Sequence, residues 1–236
     1  THLAILASTG SGKSYTASVL VEEMMRPSTR ASLLVFDPHG EYDTLSEIQG
    51  DDQFQGGDGY EPDIEFFDPD RLRVRISELE LGDVMAILDN PTNRMQDRLA
   101  TAWRAMQNRE SQTWGVDELV AEMEAEFGAD DASVGALEWR LRASIQRNDL
   151  FDPAENVPLD DIVDPGQCTV LQLDTLDRRN QQLITTVLLR RLYSERLDDV
   201  RGRDSDVDHP IFALFEEGHR FAPASGEAPS LGILRT

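Results

Sequence analysis

Two clusters of residues are typed and spaced to do chemistry on a phosphate. The first is Ala7-Ser8-Thr9-Gly10-Ser11-Gly12-Lys13-Ser14, small residues followed by a lysine and a hydroxyl. Gly10 and Gly12 admit backbone angles and close approaches that a Cβ blocks. Loop N–H groups can therefore turn inward around a phosphate, and a helix starting there adds its positive end. Lys13 can reach the β- and γ-phosphates of ATP, and the Ser14 hydroxyl can ligate Mg²⁺. Thr9, Gly10, Ser11, Gly12, Lys13, Ser14 and Tyr15 are the expected nucleotide contacts. Ala7 stands where such a loop usually opens with glycine, and a small residue suffices there. The second cluster is Glu216-Glu217, which ends the apolar run Pro210–Phe215. In a parallel sheet both carboxylates fall at the edge where the loop lies. Glu216 is expected to hold Mg²⁺ with Ser14. Glu217 is expected to orient and polarise the attacking water, which makes Lys13 and Glu217 the catalytic pair.

The elements around these clusters fit that chemistry. The run His2–Leu6 predicts a strand before the loop, and the periodic run Tyr15–Met25 predicts a helix after it, the context a P-loop needs. Ser32–Phe36 predicts a buried strand ending in Asp37-Pro38-His39-Gly40-Glu41-Tyr42. That places Asp37, His39 and Glu41 near the nucleotide edge, although composition alone favours a plain polar turn there. The acidic, glycine-bearing stretch 43–63 predicts a mobile surface loop. Ile64–Phe67 and Leu72–Ile76 predict strands, the second with Arg71, Arg73 and Arg75 on one face.

From Glu78 to about Arg147 the apolar spacing turns helical, over 80–88, 92–109, 116–127 and 133–148. Trp103, Trp114 and Trp139 are expected to pack between these helices. A strand at Cys168–Leu173, a long helix from Arg178 to Val200 and the strand at Pro210–Phe215 follow. The fold class is thus α/β with a parallel sheet and an inserted helical bundle. Residues 1–76 and 151–236 form the core, incomplete at both ends, and 77–150 form the inserted subdomain. His219, just past the acidic pair, is a candidate for sensing or relaying the nucleotide state.

Composition bounds the setting. Forty-five acidic residues oppose 22 basic ones, for a net charge of −23, and Lys13 is the only lysine. Such a surface suits concentrated salt, where the Debye length falls to about 3 Å and self-repulsion is screened. Net charge therefore neither supports nor vetoes DNA binding. No apolar run approaches the roughly 18–20 residues of a membrane span, no signal peptide is evident, and Cys168 is the only cysteine. A cytoplasmic protein without membrane contact is expected. The abrupt start suggests a fragment.

Ser8–Ser14, Phe36–Tyr42 and Phe215-Glu216-Glu217-Gly218-His219-Arg220-Phe221-Ala222-Pro223 together resemble the HerA–FtsK superfamily, and within it the archaeal HerA group of hexameric DNA translocases. The resemblance covers nearly the whole chain, with these motifs as its specific part. It gives the 37–42 loop a functional reading. It implies a RecA-like P-loop NTPase core, ATP and Mg²⁺ as cofactors, a homo-hexameric ring around DNA and a NurA-type nuclease as partner in DNA end processing and repair. Gly218 stands where the family usually has alanine. The resemblance also implies an amino-terminal β-barrel, a later strand with a sensor glutamine, and arginines acting on a neighbour's nucleotide, none of them in this chain. Weak activity of the isolated chain is therefore expected. Two other functions fit the same motifs: a ring ATPase of a secretion or conjugation system, and a nucleotide-gated scaffold with little hydrolysis.

Overall fold

The computed structural model describes residues 3–6, 8, 11–88, 90–111 and 113–221. Two compact units emerge, Thr1–Asp68 with Pro158–Leu176 and Arg190–His219, and Pro69–Val157 with Asp177–Leu189 and Arg220–Thr236.

The first unit is built on a parallel sheet. Helix α1 (Lys13–Met24) precedes strand β1 (Ser32–Asp37), and β2 (Asp63–Phe67) follows. β1 is buried at every position, as befits a strand covered on both faces. Ala17, Val21 and Met25 recur at intervals of four residues and join a buried cluster with Leu33, Val35, Ile64 and Val170.

The second unit starts with a short β3 (Val74–Arg75), then α2 (Leu81–Ile87), α3 (Asn93–Gln107), α4 (Val116–Phe127) and α5 (Ala132–Leu141). The four helices match the four periodic segments of the sequence. Thr92 caps α3 by accepting the Met95 N–H. Trp103 and Trp114 are buried and meet edge to face at 4.9 Å. Trp139 differs from expectation and is 70% exposed. It lies two residues from Leu137, about 200° around the helix, so it faces away from the stripe formed by Val134, Leu137 and Leu141.

Asp131 caps α5. Its carboxylate accepts the N–H of Ser133 (2.8 Å) and Val134 (3.4 Å) and pairs with Arg94 (2.8 Å) and Arg98 (3.3 Å). The Arg94 guanidinium, helped by the Ser133 N–H, holds its pKa down at about 2, against an ordinary 3.8. A depressed pKa stabilises the fold above the unfolded value and loses that contribution as pH falls through the folded one. Asp131→Asn is therefore expected to melt a few degrees below wild type at neutral pH. The gap should close between pH 3.8 and about pH 2, as read by thermal melts across pH.

Strand β4 (Phe151–Asp152) pairs in parallel with β3. The chain then supplies β5 (Gln167–Gln172), α6 (Arg178–Val200) and β6 (Ile211–Phe215). The sheet of the first unit runs β2-β5-β1-β6, all pairs parallel. Cys168 lies within it, buried, and burial pushes its thiol up to about 12, far from a reactive thiolate. Among the described residues, no helix is long and apolar enough to cross a membrane.

Three further expectations change. Residues 3–6 are not a strand: Leu3 and Leu6 are exposed, and among the described residues β6 is an edge strand of the sheet, with Phe212 exposed. A strand needs a ladder for its N–H and C=O groups, and residues 3–6 pair with no strand among the described residues. The second predicted strand, Leu72–Ile76, shrinks to Val74–Arg75. The 43–63 stretch is packed rather than free. A 3₁₀ turn at Asp43–Ile48 buries Leu45 and Ile48, and Phe54 is buried beyond it. The Tyr60 hydroxyl donates to the Met25 carbonyl at 2.6 Å, and Arg30 stacks 4.6 Å over the Tyr60 ring.

Candidate active site

The register of β1 and β6 assembles the site. Phe36 pairs with Phe215, their rings stack at 4.7 Å, and the Glu216 N–H donates to the Phe36 carbonyl (3.2 Å). The next residues, Asp37 and Glu216, therefore emerge side by side at the carboxyl edge of the sheet, where open α/β folds place ligands.

The P-loop meets them from α1. Gly12 precedes the helix with φ +83°, a left-handed conformation that glycine reaches without strain. The first turn of α1 carries no acidic residue, so its N–H groups keep their positive potential for an anion. The Lys13 ammonium donates to Glu216 and, at 2.9 Å, to Glu217. The Ser14 hydroxyl donates to Glu41 and lies 3.3 Å from Glu216 Oε1.

Electrostatics follow from these contacts. The bond to Glu216, above all, raises the Lys13 pKa, so the ammonium stays charged. The Lys13 hydrogen bond holds the Glu217 carboxyl below its ordinary value, and the nearby His219 and His39 act the same way. His219 Nδ1 lies 3.1 Å from Glu217 Oε2. Glu217 adopts φ +51°, a left-handed conformation that costs a non-glycine residue about 1–3 kcal/mol. That conformation belongs to the sharp turn of the chain off β6, at the residue whose carboxylate meets Lys13.

Asp37 acts from beneath. Fully buried, its carboxylate accepts the N–H groups of His39 (3.1 Å), Gly40 (2.8 Å) and Tyr42 (3.3 Å). Burial raises its pKa, and those donors oppose the rise. The fold of the 38–42 loop is thus an Asx-type turn around one carboxylate, with Gly40 at φ +71°. That turn delivers Glu41 to Ser14 and buries Tyr42, whose hydroxyl donates to Glu216 Oε2 at 2.8 Å. Burial, and after it Glu216, pushes the Tyr42 phenol far above its ordinary pKa.

Lys13, Ser14, Glu41, Glu216, Glu217 and His219 are thus brought together, with Asp37 supporting them. Tyr15, in the first turn of α1, is 76% exposed, and its side chain is not drawn into this cluster. The His39 imidazole is likewise exposed. Thr9 and Gly10 lie outside the described residues, as do Ala222 and Pro223. Tyr42 is the partner that sequence reasoning missed. The available signal was a tyrosine beside charged motif residues, whose hydroxyl needs a partner once its ring is buried. Ser14 and Glu216 offer oxygen donors only, the set that a hard cation such as Mg²⁺ takes, so these residues fit that ion.

Residues 1–192 match the family model described as the central domain of helicase HerA. The chain is 25% identical over 233 residues to a probable helicase of Methanocaldococcus jannaschii, covering 94% of this chain and 43% of that protein. It is 26% identical over 242 residues to the DNA double-strand break repair helicase HerA of Saccharolobus solfataricus, covering 93% of this chain and 44% of that one. The chain spans less than half the length of these curated relatives. Among solved structures, VirB4 of Thermoanaerobacter pseudethanolicus matches with a TM-score of 0.56 at 14% identity, over 92% of this chain and 60% of that one. The architecture is the RecA-like P-loop core, as expected.

Proposed function

The chain belongs to the family of the helicase HerA central domain, and from that premise we propose that it is the ATP-hydrolysing motor of a ring-forming DNA translocase. The observation that carries this reading is the meeting of Lys13 and Ser14 with Glu216 and Glu217. Lys13 and the N–H groups of residues 10–14 hold the phosphates of ATP. Ser14 and Glu216 hold Mg²⁺, which when bound offsets phosphate charge. Glu217, kept ionised by Lys13, accepts the proton of the attacking water as that oxygen bonds to the γ-phosphorus and the bond to ADP breaks. Glu41 and His219 adjoin this machinery through Ser14 and Glu217.

Residues 77–150 are read as a helical subdomain inserted into the core. The working form is a homo-hexamer with DNA in its pore, acting with a NurA-type nuclease on DNA ends in the cytoplasm. The acidic surface is an adaptation to concentrated salt, so activity belongs in molar potassium chloride. The test is the ATPase rate of the full-length protein in that salt, with and without linear double-stranded DNA. Duplex ends are expected to raise turnover several-fold. Turnover indifferent to DNA would point to the secretion-type motor instead, and tight ATP binding with background turnover to a scaffold.

A further inference from the structure

We propose that Tyr42 is a positioning residue that orients the Glu216 carboxylate for the divalent cation. The inference rests on the reading of Ser14 and Glu216 as the metal-holding pair. The two oxygens of Glu216 have divided tasks. Oε1 faces Lys13 and Ser14, whereas Oε2 receives the Tyr42 hydroxyl at 2.8 Å. The side chain is only 4% exposed, so little water competes for Oε2, and the phenol holds that oxygen while Lys13 and Ser14 lie at the other. Tyr42 is itself held at two points. Its ring belongs to the buried cluster that includes Val21, Met25 and Leu45, and its N–H donates to Asp37 Oδ2 at 3.3 Å. A rigid phenol behind one oxygen aims the other, and outer partners of this kind tune metal affinity.

Phenylalanine at this position keeps the ring and removes only the donor. The experiment titrates Mn²⁺, as a paramagnetic substitute for Mg²⁺, into the full-length protein with ADP bound, following free Mn²⁺ by electron paramagnetic resonance. Wild type, Tyr42→Phe, Glu216→Gln and the double variant are compared. Tyr42→Phe is expected to weaken Mn²⁺ binding about 10- to 100-fold, with ADP affinity in the absence of metal unchanged. In the Glu216→Gln background the same substitution should add no further loss, because Tyr42 acts through that carboxylate. If Tyr42→Phe binds Mn²⁺ as wild type does while Glu216→Gln loses it, the proposal is overturned and the metal assignment stands. A lowered melting temperature with unchanged Mn²⁺ affinity also overturns it, by making Tyr42 a packing residue. If Glu216→Gln too binds Mn²⁺ as wild type does, the assignment of the metal pair itself fails.

Discussion

Glu217→Gln in the full-length protein is expected to bind ATP about as tightly as wild type and to turn it over about 10²- to 10⁴-fold more slowly, the range a positioned general base contributes. The amide keeps the size of the side chain and can still take a hydrogen bond from Lys13, 2.9 Å away in the wild type. It cannot accept the proton of water. The left-handed backbone at position 217 comes from the sharp turn off β6, and it constrains glutamine no more than glutamate. Nucleotide binding by calorimetry beside phosphate release over time separates the two effects. Equal turnover in variant and wild type would remove Glu217 from the chemistry.

Lys13→Ala is expected to lose both affinity and rate, with turnover down at least 10²- to 10³-fold, as when a charge-stabilising donor is removed. Lys13 is the cation shared by Glu216 and Glu217. Without it, two carboxylates face each other and an incoming polyphosphate without a counter-charge. Lys13→Arg is expected to fail nearly as badly. The chain uses arginine at every other basic position apart from its histidines, yet a planar guanidinium does not replace a compact ammonium that must serve two carboxylates and a phosphate in turn. Steady-state phosphate release from the two variants, beside wild type in molar potassium chloride, checks this. Wild-type rates in either would contradict the site.

The elements that position this site were largely legible. Apolar runs ending in special residues announced β1 with Asp37 and β6 with Glu216, and parallel register then forces those ends together. The helices of the second unit followed from periodicity because each buries one stripe. The missed features share a cause: they depend on partners far away in the chain. Tyr42 and Glu216 are 174 residues apart, and no local pattern pairs a phenol with a carboxylate. The 43–63 stretch looked like free loop because its composition is acidic and glycine-rich, yet a few apolar side chains, Leu45, Ile48 and Phe54, tie it to the core. The apolar run at 3–6 looked like a strand, but a strand exists only where a neighbour completes its ladder.

As proposed, Lys13, Ser14, Glu216 and Glu217 form a hydrolytic ATP site rather than a nucleotide grip. The most direct measurement is phosphate release by the full-length wild-type protein, with ATP binding followed in the same samples, in molar potassium chloride with Mg²⁺ and again with a chelator. Steady release that needs Mg²⁺ is the predicted result. Saturated ATP binding with release at background in both conditions would contradict it.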